Sequence, residues 1–155
     1  MNITIKKGTP HDIPQALQLV KELAAYEKAP DEVEVTIEEM TEWGFGTNKQ
    51  FDFFVAVEND VIVGLALYYY KYSTWKGKCL FLEDIIVTES QRGKGLGKLL
   101  FDQVVQVSKE QKVRRMEWQV LDWNTPAIEF YKKYDATLDG EWVNCKLTNP
   151  QLEKM

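Results

Sequence analysis

Apolar and polar positions follow two rhythms along this chain, and each change of rhythm marks an element. "NITIKK" (2–7) alternates with period two and predicts a first strand. "TPHD" then carries the start signals of a helix: Thr9 as N-cap, Pro10 as first helical residue and Asp12 as the return partner of a capping box. Ile13, Leu17, Val20, Leu23 and Ala24 recur at helical spacing, so this helix runs to about Tyr26, where "KAPDE" breaks it. "TIEEMTEWGFG" predicts a short second helix with Thr36 as cap and Gly44 as stop. The β-rich runs 51–57 and 61–70, joined by "END", predict a hairpin. "KCLFLEDIIVTE" is apolar almost throughout, as in a strand covered on both faces. After the glycine-rich "QRGKGLGKLL" (91–100), "LGKLLFDQVVQVSKEQ" reads as an amphipathic helix and "RRMEWQVLDW" as a strand. "NTPAIEFYKKY" is a helix capped by Asn124, "ATLDGEWVNCKL" a last strand or hairpin, and "TNPQLEKM" a frayed tail. Strands and helices alternate without repeat or linker, which predicts one α/β domain over residues 1–155.

Composition narrows the classes. The 155 residues are 45% hydrophobic and 28% charged, ordinary for a globular protein with a real core. No apolar run reaches the roughly 18 residues needed to span a bilayer, and the first residues lack the apolar stretch of a signal peptide. The expectation is a cytoplasmic protein with no membrane partner. A net charge of −5 argues against nucleic acid. Cys79 and Cys145 both lie in strand-like sequence and read as buried thiols. The single histidine, His11, falls in a helix's first turn and reads as surface. One histidine and scattered thiols give neither a metal site nor a catalytic histidine pair. Six carboxylates crowd residues 31–42. Most such residues are solvated or cap a helix; together they can also draw in a cation.

The glycine loop joins a buried strand to a helix. Amides at a helix N-terminus are unpaired and partly positive. Glycines remove the side chains that would hold a ligand away, and Arg92, Lys94 and Lys98 add charge. This combination suits a pyrophosphate. A Walker loop would place Ser or Thr after its lysine, but Leu99 follows Lys98. A dinucleotide fingerprint would have a different glycine spacing and an early position in the chain.

With those residues in view, "RGKGLG" after "LEDIIV" resembles the acyl-CoA signature R/Q-x-x-G-x-G/A of the GNAT acetyltransferases, at Arg92, Gly95 and Gly97. "KELAAYE", "EEMTEWGFG", "YYYKYSTWKGKCLFLEDIIV" and "WNTPAIEFYKK" extend the likeness to the spermidine/spermine (diamine) N-acetyltransferases. The resemblance implies the GNAT fold: an α/β domain with a mixed sheet of about six to seven strands, about four helices, and acetyl-CoA at the splay between the fourth and fifth strands. It implies cofactor contacts from Ile85, Ile86, Val87, Arg92, Gly93, Lys94, Gly95, Leu96, Gly97, Lys98, Asn124, Ala127 and Tyr131. The pantetheine arm would pair with the backbone of Ile85, Ile86 and Val87, whose side chains also read as core. Members are commonly homodimers that share the cleft.

For the chemistry, the resemblance implies Glu83 as the group that takes the amine's proton and Tyr131 as the acid for the leaving thiolate. Glu83 and Asp84, adjacent on a strand, would lie on opposite faces. Tyr26, Glu27, Trp75, Glu83, Asp84, Trp118 and Gln119 match positions near the small-molecule amine, and an aromatic among them can stack on a cation. Each aromatic could equally be packing. Where the family usually has glycine after the catalytic helix, this chain has Tyr134 and Asp135; aspartate tolerates the left-handed turn better than most residues. "TLDGEW" is shorter than its counterpart in the polyamine enzymes, which keeps diamines and lysine-like amino acids open beside polyamines. Three readings stand: a di- or polyamine acetyltransferase, an acetyltransferase for a lysine analogue such as thialysine or another small amine, and an acyl-CoA-binding sensor without turnover. Glu83 and Tyr131 speak against the third.

Overall fold

The first alternating segment becomes strand β1 (Ile3–Lys7), paired antiparallel to β2 (Asp52–Glu58) in a computed structural model that describes residues 2–155. Residues up to Gln119 form one compact unit and residues from Val120 onward a second.

The first unit holds a five-stranded sheet in the order β1-β2-β3-β4-β5, with β3 at Val61–Ser73, β4 at Gly77–Val87 and β5 at Arg115–Glu117. Neighbours are antiparallel except β4 and β5, which are parallel. The β2–β3 hairpin turns through Asn59 and Asp60, with φ of 50° and 65°. Both are left-handed, as a two-residue type I′ turn requires, and Asn and Asp accept that conformation at low cost. A 3-10 turn at Pro10–Asp12 leads into α1 (Ile13–Tyr26). The amide of Thr9 donates to Asp12 Oδ2 at 2.8 Å, half of the expected capping box. α2 (Ile37–Phe45) shows the full box: Glu39 N–H donates to Thr36 Oγ1 at 3.1 Å, and Thr36 N–H to Glu39 Oε1 at 3.0 Å. The expected stop at Gly44 is corrected. The helix runs through it to a C-cap at Gly46, and Gly44 is small because a Cβ there would lie 2.9 Å from the Phe51 ring.

Each face of the sheet buries a helical stripe. Ile13 and Leu17 of α1 and Met40 of α2 pack with Phe53, Val55, Leu65, Leu67 and Ile86 on one face. α3 (Leu96–Glu110), the crossover from β4 to β5, buries Leu96, Leu100, Phe101 and Val104. Gly64 of β3 admits this helix closely: a Cβ there would come within 2.9 Å of Leu100 Cδ1. Burial of each large aliphatic side chain contributes about 1.5–3 kcal/mol, so packing rather than helix propensity holds these elements.

In the second unit α4 (Thr125–Lys132) begins at Asn124, whose Oδ1 accepts the Ala127 amide at 3.4 Å. It ends in a Schellman-type turn: Asp135 N–H donates to the Lys132 carbonyl at 3.0 Å and Ala136 N–H to that of Tyr131 at 3.5 Å, with Asp135 at φ 59°. Aspartate does take the left-handed position where the family has glycine. Two expectations fail in this unit. Residues 137–148 form no strand, so the sheet has five strands rather than six or seven. Trp142, Val143 and Leu147 are exposed. Alternation makes a segment strand-like, but a strand also needs a partner edge, which period two does not report. The expected frayed tail instead forms α5 (Asn149–Glu153), with Thr148 N–H donating to Gln151 Oε1 at 2.7 Å. Among the described residues α-helices number five rather than about four. Cys79 is buried as expected, whereas Cys145 is exposed.

Candidate active site

The strand-like "RRMEWQVLDW" supplies only the three residues of β5, and this shortness opens the sheet. Cys79, Leu80 and Phe81 of β4 pair with Arg115, Met116 and Glu117. β4 then continues through residues 82–87 with no strand beside it on that edge among the described residues. Backbone groups along such an edge are ready to pair with an extended ligand. Ile85, Ile86 and Val87 lie here, opposite Ala66, Leu65 and Gly64 of β3. The Ile86 side chain is in the core, so its two roles coexist.

At the end of β4 the chain makes a 3-10 turn, Glu89–Gln91, and enters the glycine loop. Gly93 and Gly95 have φ of 82° and 81°, which L side chains rarely adopt. Gly95 is the N-cap of α3 and brings no side chain to cap it, and the amides of Leu96 and Gly97 have no hydrogen-bond partner among the described residues. Gly97 is neither left-handed nor crowded, since a Cβ would meet only Val87 Cγ2 at 4.0 Å. The fold leaves this cradle open, and its donors fit the pyrophosphate of coenzyme A. Leu96 is buried and can contribute through its backbone alone. The cations of the loop are engaged within the chain. Lys94 Nζ donates to Gln91 Oε1 at 2.6 Å, and Lys98 pairs with Asp102 at 2.6 Å. Arg92 Nε donates to the Val87 carbonyl at 2.9 Å, and its Nη2 lies 3.6 Å from Glu22.

Upstream on β4 the register jumps. Leu67 faces Asp84 and Tyr68 faces Leu82, so Glu83 has no opposite residue. Such a bulge re-aims side chains. The expected opposite-face placement of Glu83 and Asp84 does not survive it, because alternation is interrupted between them. Asp84 instead shares the face of Tyr69 and Phe81, whose rings are 5.4 Å apart. Burial pushes the Asp84 carboxyl up from 3.8 to about 7, reinforced by the charges of Glu83 and Glu27. Glu27, at the end of α1, is raised by burial and by Glu83. No ion pair among the described residues involves any of the three. Three mutually repelling carboxyl groups therefore gather with no ion-pair partner among the described residues.

The other expected residues divide. Tyr26 stands next to Glu27 on α1, its ring 5.3 Å from the Arg92 guanidinium. Trp118 follows β5 and sets its ring edge-on to Phe101 at 5.2 Å, a packing contact; Gln119 beside it is exposed. Trp75 sits in the β3–β4 turn, 79% exposed. That is about 20 Å along the strand from Glu83 at the usual rise per residue, so the structure does not bring the two together. In the second unit Tyr131 is buried and Asn124 and Ala127 serve the α4 cap. Sequence reasoning missed two residues. Tyr69 is raised by burial and by the neighbouring Glu83 carboxylate. Glu22 holds the turn after β4. Both are ordinary in sequence, and only cross-strand register and long-range packing reveal them.

A sequence profile described as the acetyltransferase (GNAT) family matches residues 16–135. Thialysine N-epsilon-acetyltransferase of Bos taurus is 34% identical over 142 residues, 86% of this chain and 84% of that protein. Spermidine/spermine N(1)-acetyltransferase-like protein 1 of Homo sapiens is 35% identical over 139 residues, 85% of this chain but 20% of that longer protein. Among solved structures, an integron cassette protein of V. cholerae superposes with a TM-score of 0.80 at 24% identity, covering 99% of this chain and 97% of that one. The profile spans the glycine loop, the bulged strand and α4 alike, and by this match the chain belongs to the GNAT acetyltransferase family.

Proposed function

We propose that this acetyltransferase moves the acetyl group of acetyl-CoA to a primary amine of a small polycation, a diamine or polyamine. The observation that carries this reading is the trio Glu27, Glu83 and Asp84, whose carboxyl groups repel one another and make no ion pair among the described residues, with Glu27 and Asp84 raised further by burial. A ligand with two or more ammonium groups relieves that repulsion, and an uncharged acceptor does not. Acetyl-CoA supplies an acetyl thioester, whose C–S bond breaks as the amide C–N bond forms. Residues 92–98 hold the pyrophosphate, and the backbone of Ile85, Ile86 and Val87 aligns the pantetheine arm. Glu83, beside Tyr69, takes the ammonium proton directly or through water, which is needed because such a group titrates near 10.4 unperturbed. Tyr131 returns a proton to the thiolate, and Asn124 and Ala127 keep the cofactor-side role that the family resemblance gives them. Tyr26 stacks on the cation, with Trp118 and Gln119 lining the acceptor side. The protein works in the cytoplasm and as a homodimer, and the exposure of Trp75 and Trp142 supports the dimer.

A second acceptor has its own support, since a thialysine N-epsilon-acetyltransferase matches 86% of this chain; against it, a lysine analogue carries one carboxylate that the trio would repel. The deciding experiment is thiol release from acetyl-CoA with putrescine, spermidine, spermine, lysine, thialysine and an aminoglycoside at pH 7 and pH 9. Polyamine turnover above that with thialysine is expected. Preference for thialysine overturns the polycation reading, and silence on every amine with coenzyme A still bound leaves a sensor.

A further inference from the structure

Glu22 has no part in amine chemistry, yet its carboxylate makes three contacts to one short segment 66 residues further along the chain. Thr88 donates its hydroxyl to Oε1 at 2.8 Å, and the Glu89 amide donates to Oε2 at 3.1 Å. The Arg92 Nη2 lies 3.6 Å from the same Oε2. Glu89 opens the 3-10 turn after β4, so its amide would otherwise lack a partner. Arg92 is held a second time by the Val87 carbonyl, at 2.9 Å, and a third time over the ring of Tyr26, one helical turn beyond Glu22. The Thr88 amide ties the same segment to Val63 of β3 at 2.9 Å. Val87, Thr88, Glu89 and Arg92 are thus fastened, and the residue after Arg92 is left-handed Gly93.

A glycine-rich loop has many conformations, and a ligand that must choose one loses affinity in ordering it. The direction in which the chain leaves Arg92 decides where the later amides aim. We propose that Glu22 is a positioning residue for the acetyl-CoA loop, acting through Arg92 and the Thr88 turn, and that Arg92 serves the loop as a buttress on its upstream side. This rests on the reading of residues 92–98 as the pyrophosphate cradle. Because Glu22, Tyr26 and Glu27 share the last turns of α1, one helix end braces the cofactor loop and presents a carboxylate to the amine.

The test is coenzyme A affinity, by calorimetry, for wild type, Glu22→Ala, Arg92→Ala and the double variant. Each single change is expected to weaken binding about five- to tenfold, the range for a charge-assisted contact at a partly exposed site. The double variant should be no weaker than the worse single, since both act through one brace. Glu22→Gln, which keeps an acceptor oxygen but no charge, should recover part of the loss and stands in if the alanine variant unfolds. In turnover, the Glu22→Ala loss should enter KM for acetyl-CoA rather than kcat, which a general loss of structure would not do. Wild-type affinity in Glu22→Ala overturns the proposal. So does an additive double loss, which would mean that Arg92 and Glu22 act independently of one another. Gly95→Glu separates the two levels: if it still binds coenzyme A the cradle reading fails, and if it alone loses binding only the role of Glu22 fails.

Discussion

Replacing Asp84 by asparagine should stabilise this protein at alkaline pH and do little in acid. The aspartate has an ordinary value of 3.8 and titrates at about 7 in the fold, through burial and the neighbouring charges of Glu83 and Glu27. Below about pH 4 the carboxyl is protonated in both folded and unfolded chains and carries no penalty. Between pH 4 and 7 the unfolded chain is ionised while the folded one keeps its proton. The native state then binds more protons, and stability falls as pH rises. Above pH 7 both are ionised and the loss levels off at about 4 kcal/mol, from about 1.36 kcal/mol per tenfold change in proton affinity. That is a large share of the roughly 5–15 kcal/mol by which domains are stable. Asparagine has the same shape and does not titrate. Urea unfolding at intervals from pH 4.5 to 8.5, followed by tryptophan fluorescence, gives the difference between the two proteins at each pH, and contributions from groups that do not feel the Asp84 charge cancel. The variant should gain steadily and lead by about 3–5 kcal/mol at pH 8. A difference flat to within about 1 kcal/mol would refute the reasoning, because it would mean that Asp84 ionises in the fold as it does in water. Spermidine should narrow the gap at pH 8, since a bound polycation lowers the cost of the aspartate's charge.

Three further outcomes can be measured. Gly97→Ala should stabilise by about 0.5–1 kcal/mol in chemical denaturation, because the added methyl meets only Val87 at 4.0 Å and glycine is a poor helix residue; destabilisation would show that the backbone there needs glycine. Asp135→Gly should stabilise by about 0.5–1 kcal/mol and Asp135→Val should destabilise, since φ is 59° at the end of α4; equal stabilities would deny the left-handed cap. Tyr131→Phe should lower kcat about a hundredfold while coenzyme A binds within about twofold of wild type, and an unaltered kcat removes the hydroxyl from the mechanism.

Where the sequence carried local instructions, it was readable. Thr36 with Glu39, Asn124 before its helix, and Asn59-Asp60 between two apolar runs each act within four residues, and the structure uses each as expected. The glycine loop was readable for the same reason, since strand, glycines and helix are contiguous. The bulge at Glu83 was not, because a skipped residue exists only relative to β3. Glu22 was hidden by the 66 residues between its carboxylate and Thr88. Residues 137–148 misled for a related reason: "EWVNCKL" alternates like a strand, but pairing depends on an edge elsewhere in the fold. Gly44 misled because a glycine near a helix end has two uses, and contact with Phe51 decided between them.

The open edge of β4 has a cost outside catalysis. It runs through "LEDIIV", among the most apolar strand sequence in the chain, and an unpaired apolar edge is a template for other chains. Glu83 and, above about pH 7, Asp84 interrupt it with charge just past the end of the pairing with β5. They therefore also act as gatekeepers against edge-to-edge aggregation. Neutralising both, as Glu83→Gln with Asp84→Asn, should leave a folded protein that scatters light and precipitates at concentrations the wild type tolerates. A designer who wants a more stable version of this enzyme would do well to change one of these carboxylates and never both.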